Sequence, residues 1–191
     1  MDTTSQNLTT LLGQIGYLKQ LPRTGWLLAG IAHPESIADH SFAVALLTLM
    51  LAETINLDWA EQGLAQPIDV GRAVSLALLH DLAESVLTDL PKRSAELLGA
   101  DVKHAAEERA MRDLMTDIAG AEGFVALWTE YDAASTPEAR LVKDADKLEM
   151  VQQSLVYERS GHPDLGEFRQ GHSWHYSASE RLFISLCHSG K

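Results

Sequence analysis

Four side chains in this sequence are of types that can bind one divalent cation together. They are His40, the adjacent pair His80 and Asp81, and Asp146. Imidazole nitrogen and carboxylate oxygen form a mixed donor set that suits Mn, Co, Fe, Ni or Zn and suits Ca poorly. His40 and Asp146 each stand in a helix-like apolar stretch where leucine or alanine would be expected. The pattern predicts a site for one divalent transition metal of open identity.

The stretches that carry these residues have the three- and four-residue apolar spacing of amphipathic helices. The predicted helices cover residues 8–18, 36–56, 68–86, 101–119, about 124–131, 136–159 and 177–187. Ser36 can cap the second helix, and Thr136 followed by Pro137 is a strong helix start. Strand-like alternation is missing, and 161–175 is expected to form a loop. The sequence therefore predicts an all-α bundle that forms a single domain over residues 1–191.

Glu84 follows the His-Asp pair by about one helical turn. If the helix over 68–86 is continuous, Glu84 shares a face with His80 and Asp81, which lie four and three residues before it. A carboxylate there can hold or deprotonate a water molecule, or protonate a leaving oxygen. The plainer alternative is that Glu84 caps the helix or pairs with a surface lysine. The adjacent metal-competent pair favours the catalytic interpretation.

Asp144 and Asp146 compete for the fourth ligand position. They lie two residues apart on the predicted helix, which separates them by about 200°, so both cannot face one ion. The apolar stripe through Leu141, Leu148 and Leu155 also passes near Asp144. Periodicity therefore leaves the choice between the two aspartates open.

Four strings in the chain together resemble a known family. They are LPRTGW at 21–26, PESIADHS at 34–41, LLHDLAESVLTDLP at 78–91 and LVKDADKLE at 141–149. In their order and spacing they resemble the HD-domain phosphohydrolases, and more closely the 5'-deoxynucleotidase branch. The resemblance implies an HD-domain helical bundle, a homodimer, and Asp146 as the fourth ligand. Asp144 is then expected either next to the ligands, just outside the metal shell, or on the surface.

The resemblance also implies a substrate and the residues that bind it. A guanidinium can hold a phosphate bidentately, and Arg23 matches the arginine that contacts the substrate phosphate in these deoxynucleotidases. Asp89 matches the aspartate that lies by the sugar and is linked to selection of the 2'-deoxy form. Trp26 can flank a sugar or base, although packing in the core explains it equally well. The expected reaction is hydrolysis of 5'-deoxyribonucleoside monophosphates.

Two alternatives to this function remain. One is another HD-domain chemistry, such as a phosphodiesterase or an alarmone hydrolase. Two-metal diesterases need further histidines between the HD pair and the last aspartate, where this chain has only His104. The other alternative is a non-catalytic nucleotide-binding protein, against which the complete ligand set and Glu84 both count.

The composition of the chain indicates which kinds of partner it can bind. A net charge of −12 disfavours a nucleic-acid polymer, whose phosphates are bound by clustered Lys and Arg. A small anionic nucleotide is compatible if a metal and an arginine supply local positive charge. The apolar run FAVALLTLMLA has 11 residues, short of a membrane span of about 20, and no basic and apolar leader opens the chain. With one cysteine, Cys187, and no expected membrane association, a cytoplasmic protein is predicted.

Overall fold

The computed structural model describes residues 3–162 and 165–189, in which helices alternate with turns and loops. The helices are α1 Thr3–Leu18, α2 Thr24–Leu28, α3 Ile37–Asn56, α4 Val70–Leu79, α5 Glu84–Leu87, α6 Lys92–Leu98, α7 Ala100–Leu114, α8 Ala121–Asp132, α9 Pro137–Arg159 and α10 Ser177–Ser189. A short 3₁₀ turn, Gly166–Arg169, lies within the predicted loop. The described residues contain no β-strand, only an isolated bridge between Pro22 and Ser36. The all-α prediction is confirmed.

Two predicted helix starts are confirmed by their capping hydrogen bonds. Ser36 Oγ accepts from Asp39 N at 3.1 Å, and Asp39 Oδ2 accepts in return from Ser36 N at 2.9 Å. This reciprocal pair satisfies backbone donors at the start of α3 and places His40 in its first turn. At the start of α9, Thr136 Oγ1 accepts from Ala139 N at 3.2 Å, and Pro137 occupies the first helical position.

The prediction of one continuous helix over 68–86 is wrong. Helix α4 ends at Leu79 and α5 begins at Glu84. Between them the backbone hydrogen bonds span three residues. Leu82 N donates to Leu79 O at 3.1 Å, and Glu84 N donates to Asp81 O at 3.0 Å. Bonds across three residues belong to tight turns and 3₁₀ geometry, not to an α-helix. His80 and Asp81 therefore lie in a turn, and helical spacing does not set where their side chains point.

The chain divides into two compact units, and each has its own core. The first unit comprises Met1–Ser41 and Leu78–Asp132, and the second comprises Phe42–Ala77 and Ala133–Lys191. Buried side chains of α1, α7 and α8, including Leu18, Met111 and Trp128, form the core of the first unit. In the second unit, residues of α3, α9 and α10, such as Ile55 and Leu148, pack together. The single-domain organisation stays a prediction.

Helix α3 is more apolar than its longest uninterrupted apolar run suggests. Among the described residues it is the one helix that is long and apolar enough to cross a membrane, judged by length and composition alone. The 11-residue run understates this property because the helix extends beyond that run at both ends over 20 residues. Core helices of soluble proteins have the same length and composition, so these two properties do not distinguish a core helix from a membrane span.

Candidate metal centre

Three of the predicted metal ligands converge in the first unit. His40 Nε2 and His80 Nε2 lie 3.4 Å apart, and Asp81 Oδ2 lies 3.6 Å from the first and 3.2 Å from the second. A transition metal about 2.0–2.1 Å from each donor requires donors about 2.8–3.4 Å apart at octahedral or tetrahedral angles, a range that two of the three separations meet and the third exceeds by about 0.2 Å. Both imidazoles are buried. The spacing and chemistry of these three atoms therefore fit one face of a divalent metal site.

Neighbouring elements hold these donors in place. His40 projects from the capped first turn of α3, and its backbone N donates to Ser36 O at 3.1 Å. His80 comes from the turn after α4, where the Tyr131 ring of α8 packs edge-on against it at 5.4 Å between centroids. Tyr131 is itself buried. The start of α3 therefore positions His40, and a tight turn that packs against the Tyr131 ring positions His80.

Asp81 is ionised in this environment. Burial acts to raise the pKa of its carboxyl, but the neighbouring His80, Arg23 and His40 outweigh burial and hold that pKa well below its ordinary value. Arg23 Nη1 donates a hydrogen bond to Asp81 Oδ2 at 3.1 Å. A carboxylate must be deprotonated to bind a metal, so Asp81 is in the required state.

Glu84 is a buried carboxyl beside this cluster. It opens α5 and is only 7% exposed. Its Oε2 atom has no hydrogen-bond partner among the described residues and lies 4.0 Å from Arg23 Nη1. Burial, followed by the negative charge of Asp81, raises the pKa of Glu84 well above its ordinary value. A raised pKa makes this carboxyl hold a proton more readily than an ordinary glutamate does, which suits a general acid or base.

Arg23 is presented to the cluster from a hydrogen-bonded turn. Its backbone N donates to Glu35 O at 3.0 Å, and its Nη1 lies 4.0 Å from Asp89 Oδ1. The next residue, Thr24, donates from its backbone N to Asp89 Oδ2 at 2.5 Å and from Oγ1 to Asp89 O at 2.9 Å. Thr24 therefore ties the Arg23 turn to Asp89. Thr24 stands inside the string LPRTGW, but a threonine in a turn has no sequence feature that marks it as a site residue.

Trp26 is packed in the interior and not on the surface of the site. It lies on α2 and is 2% exposed, and its Nε1 donates to Glu35 Oε1 at 2.8 Å. In this arrangement the indole has almost no exposed face to offer a sugar or base. The structure supports the packing alternative for Trp26, in which the side chain holds Glu35 below the Arg23 turn.

Lys103 of α7 is a second cation near the cluster, and it was not among the residues predicted from the sequence. Its Nζ lies 2.6 Å from Glu107 Oε1, and it also interacts electrostatically with Glu84 and Asp81. Burial acts to lower the pKa of Lys103, but pairing with Glu107 outweighs it and the pKa is raised. The only signal in the sequence is a lysine four residues before a glutamate, which is common on exposed helices.

In the second unit, Asp144 is fully buried and the idea that it lies on the surface is wrong. Its Oδ2 accepts from the backbone N of His175 at 2.9 Å and of Tyr176 at 3.2 Å, and Lys147 Nζ lies 3.1 Å from its Oδ1. Through these hydrogen bonds Asp144, on α9, holds the segment that precedes α10. Asp146 lies on the same helix and is half-buried, and its assignment as the fourth ligand stays a prediction.

Comparisons with known proteins identify a matching family, similar sequences and a similar solved structure. A profile described as the HD domain matches residues 15–182. The chain is 36% identical over 173 residues to the 5'-deoxynucleotidase hdd1 of Schizosaccharomyces pombe, covering 86% of this chain and 80% of that protein. It is 34% identical over 157 residues to the 5'-deoxynucleotidase HDDC2 of Bos taurus, covering 81% and 69%. A solved conserved hypothetical protein from Pyrococcus furiosus is similar with a TM-score of 0.79 and 37% identity, covering 94% of this chain and 99% of that one.

Proposed function

Because this chain belongs to the HD-domain family, we propose that it is a metal-dependent phosphomonoesterase that hydrolyses 5'-deoxyribonucleoside monophosphates. The observation that carries the proposal is the arrangement around Asp81. Metal-competent atoms, a guanidinium and a buried carboxyl with a raised pKa meet within one unit. Two relatives that share about a third of its residues are named 5'-deoxynucleotidases, and their names suggest the substrate class.

The ion-binding side chains are His40, His80 and Asp81, whose donor atoms lie 3.2–3.6 Å apart. When bound, a divalent transition metal supplies a positive charge that polarises a phosphoryl oxygen. The mixed nitrogen and oxygen donors favour Mn, Co, Fe, Ni or Zn. If both imidazoles are neutral, Asp81 and the predicted fourth ligand Asp146 together balance the charge of a divalent ion, so Arg23 supplies the excess positive charge that attracts a phosphate.

Arg23 binds the phosphate in this proposal. Its Nη1 is already directed at Asp81 and lies 4.0 Å from both Glu84 Oε2 and Asp89 Oδ1. A terminal phosphate has two or three free oxygens and can accept both arms of a guanidinium fork. A diester has fewer free oxygens and less charge, and therefore uses the fork less fully. The arginine thus favours monoesters over diesters.

Glu84 moves the proton that hydrolysis requires. Water attacks phosphorus while the bond to the 5' oxygen breaks, so one proton leaves the water and one reaches the departing oxygen. The products are a deoxynucleoside and inorganic phosphate. Glu84 Oε2 is buried and carries no hydrogen bond from the described residues, so it can hold or deliver that proton without first breaking a hydrogen bond.

Asp89 selects the sugar in this proposal. Its carboxylate is anchored by the backbone N of Thr24, so it cannot rotate freely to accommodate an additional hydroxyl. The resemblance to deoxynucleotidases implies that Asp89, like the aspartate it matches, lies beside the sugar. A fixed carboxylate whose Oδ2 already accepts from Thr24 N cannot turn to accept from a 2'-hydroxyl, which gives a physical reason for discrimination against ribonucleotides.

The structure gives no support to a two-metal diesterase among the described residues. His104 is the one histidine in the interval that such a site would use. Its Nδ1 lies 2.5 Å from Asp132 Oδ2, and its ring stacks on Trp128 at 5.7 Å between centroids. His104 is therefore engaged with α8.

Release of inorganic phosphate from a substrate panel tests the proposal. The purified protein, freed of metal and reloaded with Mn, Co, Mg or Zn, is given 5'-deoxynucleotides, 5'-ribonucleotides, 3'-monophosphates and a dinucleotide diester. We expect metal-dependent turnover that is highest with the 5'-deoxynucleotides. Faster cleavage of the diester would instead indicate a phosphodiesterase, and no turnover with any metal would favour a non-catalytic nucleotide-binding protein. Glu122, an exposed glutamate on α8, provides the control variant Glu122→Gln beside Glu84→Gln.

A further inference from the structure

The backbone of Thr88 adopts a conformation that is almost restricted to glycine. Thr88 directly follows α5, with φ 65° and ψ 165°. In this region the Cβ atom of an L-residue clashes with its own backbone, and a β-branched residue such as threonine is a clear outlier there. Among the described non-glycine residues, Asp117 and Ala134 also have a positive φ, but only Thr88 adjoins a predicted site residue, Asp89. The strain at Thr88 therefore lies beside the candidate site.

Core packing does not account for this conformation, because Thr88 is exposed. The backbone N of Thr88 donates to Glu84 O at 2.8 Å and closes the C-terminal turn of α5. Glycine in this position could make the same hydrogen bond without strain, which is why glycine is the usual residue with a positive φ after a helix. A residue other than glycine keeps such a conformation only where the surrounding structure holds it.

Thr24 provides two hydrogen bonds that hold the residue after Thr88. Its Oγ1 donates to the backbone O of Asp89 at 2.9 Å, and its backbone N donates to Asp89 Oδ2 at 2.5 Å. We call these two bonds the Thr24 clamp, because together they fix both the carbonyl and the carboxylate of Asp89. Relaxation of Thr88 to a negative φ would turn the chain that follows it and would break these bonds. The Thr24 clamp therefore opposes the strain at Thr88.

We propose that Thr24 and Thr88 are positioning residues that together aim the Asp89 carboxylate. The Thr24 clamp holds Thr88 in its strained conformation, and in that conformation Asp89 Oδ1 lies 4.0 Å from Arg23 Nη1. Without the clamp, release of the strain turns Asp89 away from this place. The inference rests on the proposed function, in which Asp89 selects the sugar. Selectivity for the 2'-deoxy form then depends on one hydroxyl and one backbone angle, although neither group needs to contact the substrate.

A double-variant cycle tests whether the clamp and the strain are coupled. Thr24→Val removes the hydroxyl at nearly constant size, and Thr88→Gly removes the strain because glycine adopts a positive φ freely. The measured quantity is kcat/KM for a 5'-deoxynucleotide divided by kcat/KM for the matching ribonucleotide. We expect this ratio to fall roughly three- to tenfold in Thr24→Val, the effect of losing one hydrogen bond. In Thr24→Val/Thr88→Gly the ratio should return to the wild-type value, because the turn no longer has strain to release.

Three controls separate the backbone angle from other effects. Thr24→Ser keeps a hydroxyl and should keep the wild-type ratio. Thr88→Ala keeps a Cβ atom and therefore the strain, so it should not restore the ratio in Thr24→Val. Ala134→Gly relieves a positive φ in the connection between α8 and α9, and it should not restore the ratio either. A loss that acted through the neighbouring Arg23 would lower kcat/KM equally for both substrates, which carry the same phosphate, and would overturn the proposal.

Urea unfolding of the same proteins tests the coupling without a substrate. Thr88→Gly should raise the unfolding midpoint when Thr24 is present, and should raise it less in the Thr24→Val background, where the strain has already been released. Thr24→Ala, which also lacks the hydroxyl, replaces Thr24→Val in both measurements if the valine variant does not fold. An equal change of midpoint in both backgrounds would overturn the proposal, and so would a ratio that Thr88→Gly fails to restore. If the stabilities are coupled but wild type shows no preference for deoxynucleotides, the clamp is supported and the proposed function alone is refuted.

Discussion

Replacing Arg23 with lysine separates the charge of this residue from its geometry. Lysine keeps the positive charge near Asp81, Glu84 and Asp89 but loses the planar pair of donors. In the structure Arg23 Nη1 donates to Asp81 Oδ2 at 3.1 Å and lies 4.0 Å from the other two carboxylates. The variant therefore removes directed hydrogen bonding while the surrounding electrostatic field changes little.

The magnitude follows from one charge-assisted hydrogen bond to the substrate phosphate. Such a bond contributes about 1.5–3 kcal/mol, which corresponds to a roughly ten- to hundredfold fall in kcat/KM. Arg23→Met, which removes the charge as well, should lower kcat/KM further than Arg23→Lys. The metal content of both variants should equal that of wild type, because Arg23 is not a ligand.

The assay is phosphate release from a 5'-deoxynucleotide, with metal measured by elemental analysis on the same samples. Arg109→Lys is the control, since Arg109 is largely exposed on α7. Full efficiency in Arg23→Lys, combined with a wild type that cleaves cyclic or diester substrates better than monophosphates, would refute the deoxynucleotidase assignment. Loss of metal from Arg23→Lys would show instead that the arginine stabilises the ion-binding site.

Four further variants test individual parts of the site and fold. His80→Ala should lose bound metal, and a wild-type stoichiometry by elemental analysis would place the ion elsewhere. Glu84→Ala should keep its metal but turn over about a hundredfold more slowly, the usual contribution of a positioned acid or base, whereas unchanged turnover would leave it a structural role. Asp89→Asn retains an acceptor for Thr24 N, so the turn should persist while the ratio of kcat/KM for deoxy over ribo substrates falls; a constant ratio contradicts a sugar contact. Thr136→Ala removes the hydroxyl that caps α9 and should lower the free energy of unfolding by about 1 kcal/mol in urea titrations, and no measurable change would show that the cap contributes little.

Sequence alone was sufficient for features that depend on neighbouring residues. Ser36 and Asp39 are three apart, as are Thr136 and Ala139, and such caps form wherever the right side chains occur at that spacing. The all-α class follows for the same reason, because apolar periodicity is a local property. The sequence also showed which metal-binding side chains are present and in what order they occur, since few types of side chain can bind a metal.

Tertiary packing decided how the candidate site is assembled. The sequence predicted a helix through His80, but the chain makes a turn there, and the site then combines groups that are remote in sequence. Arg23 meets Asp81 across 58 residues, and Thr24 meets Asp89 across 65.

Burial had the same long-range origin. Side chains from several elements enclose Glu84 and Trp26, which raises the pKa of the first and leaves the second almost no accessible surface. A sequence pattern records which groups are present and how far apart they lie along the chain. The removal of water from a carboxyl, and the distance between two charges on different elements, exist only once those elements have packed.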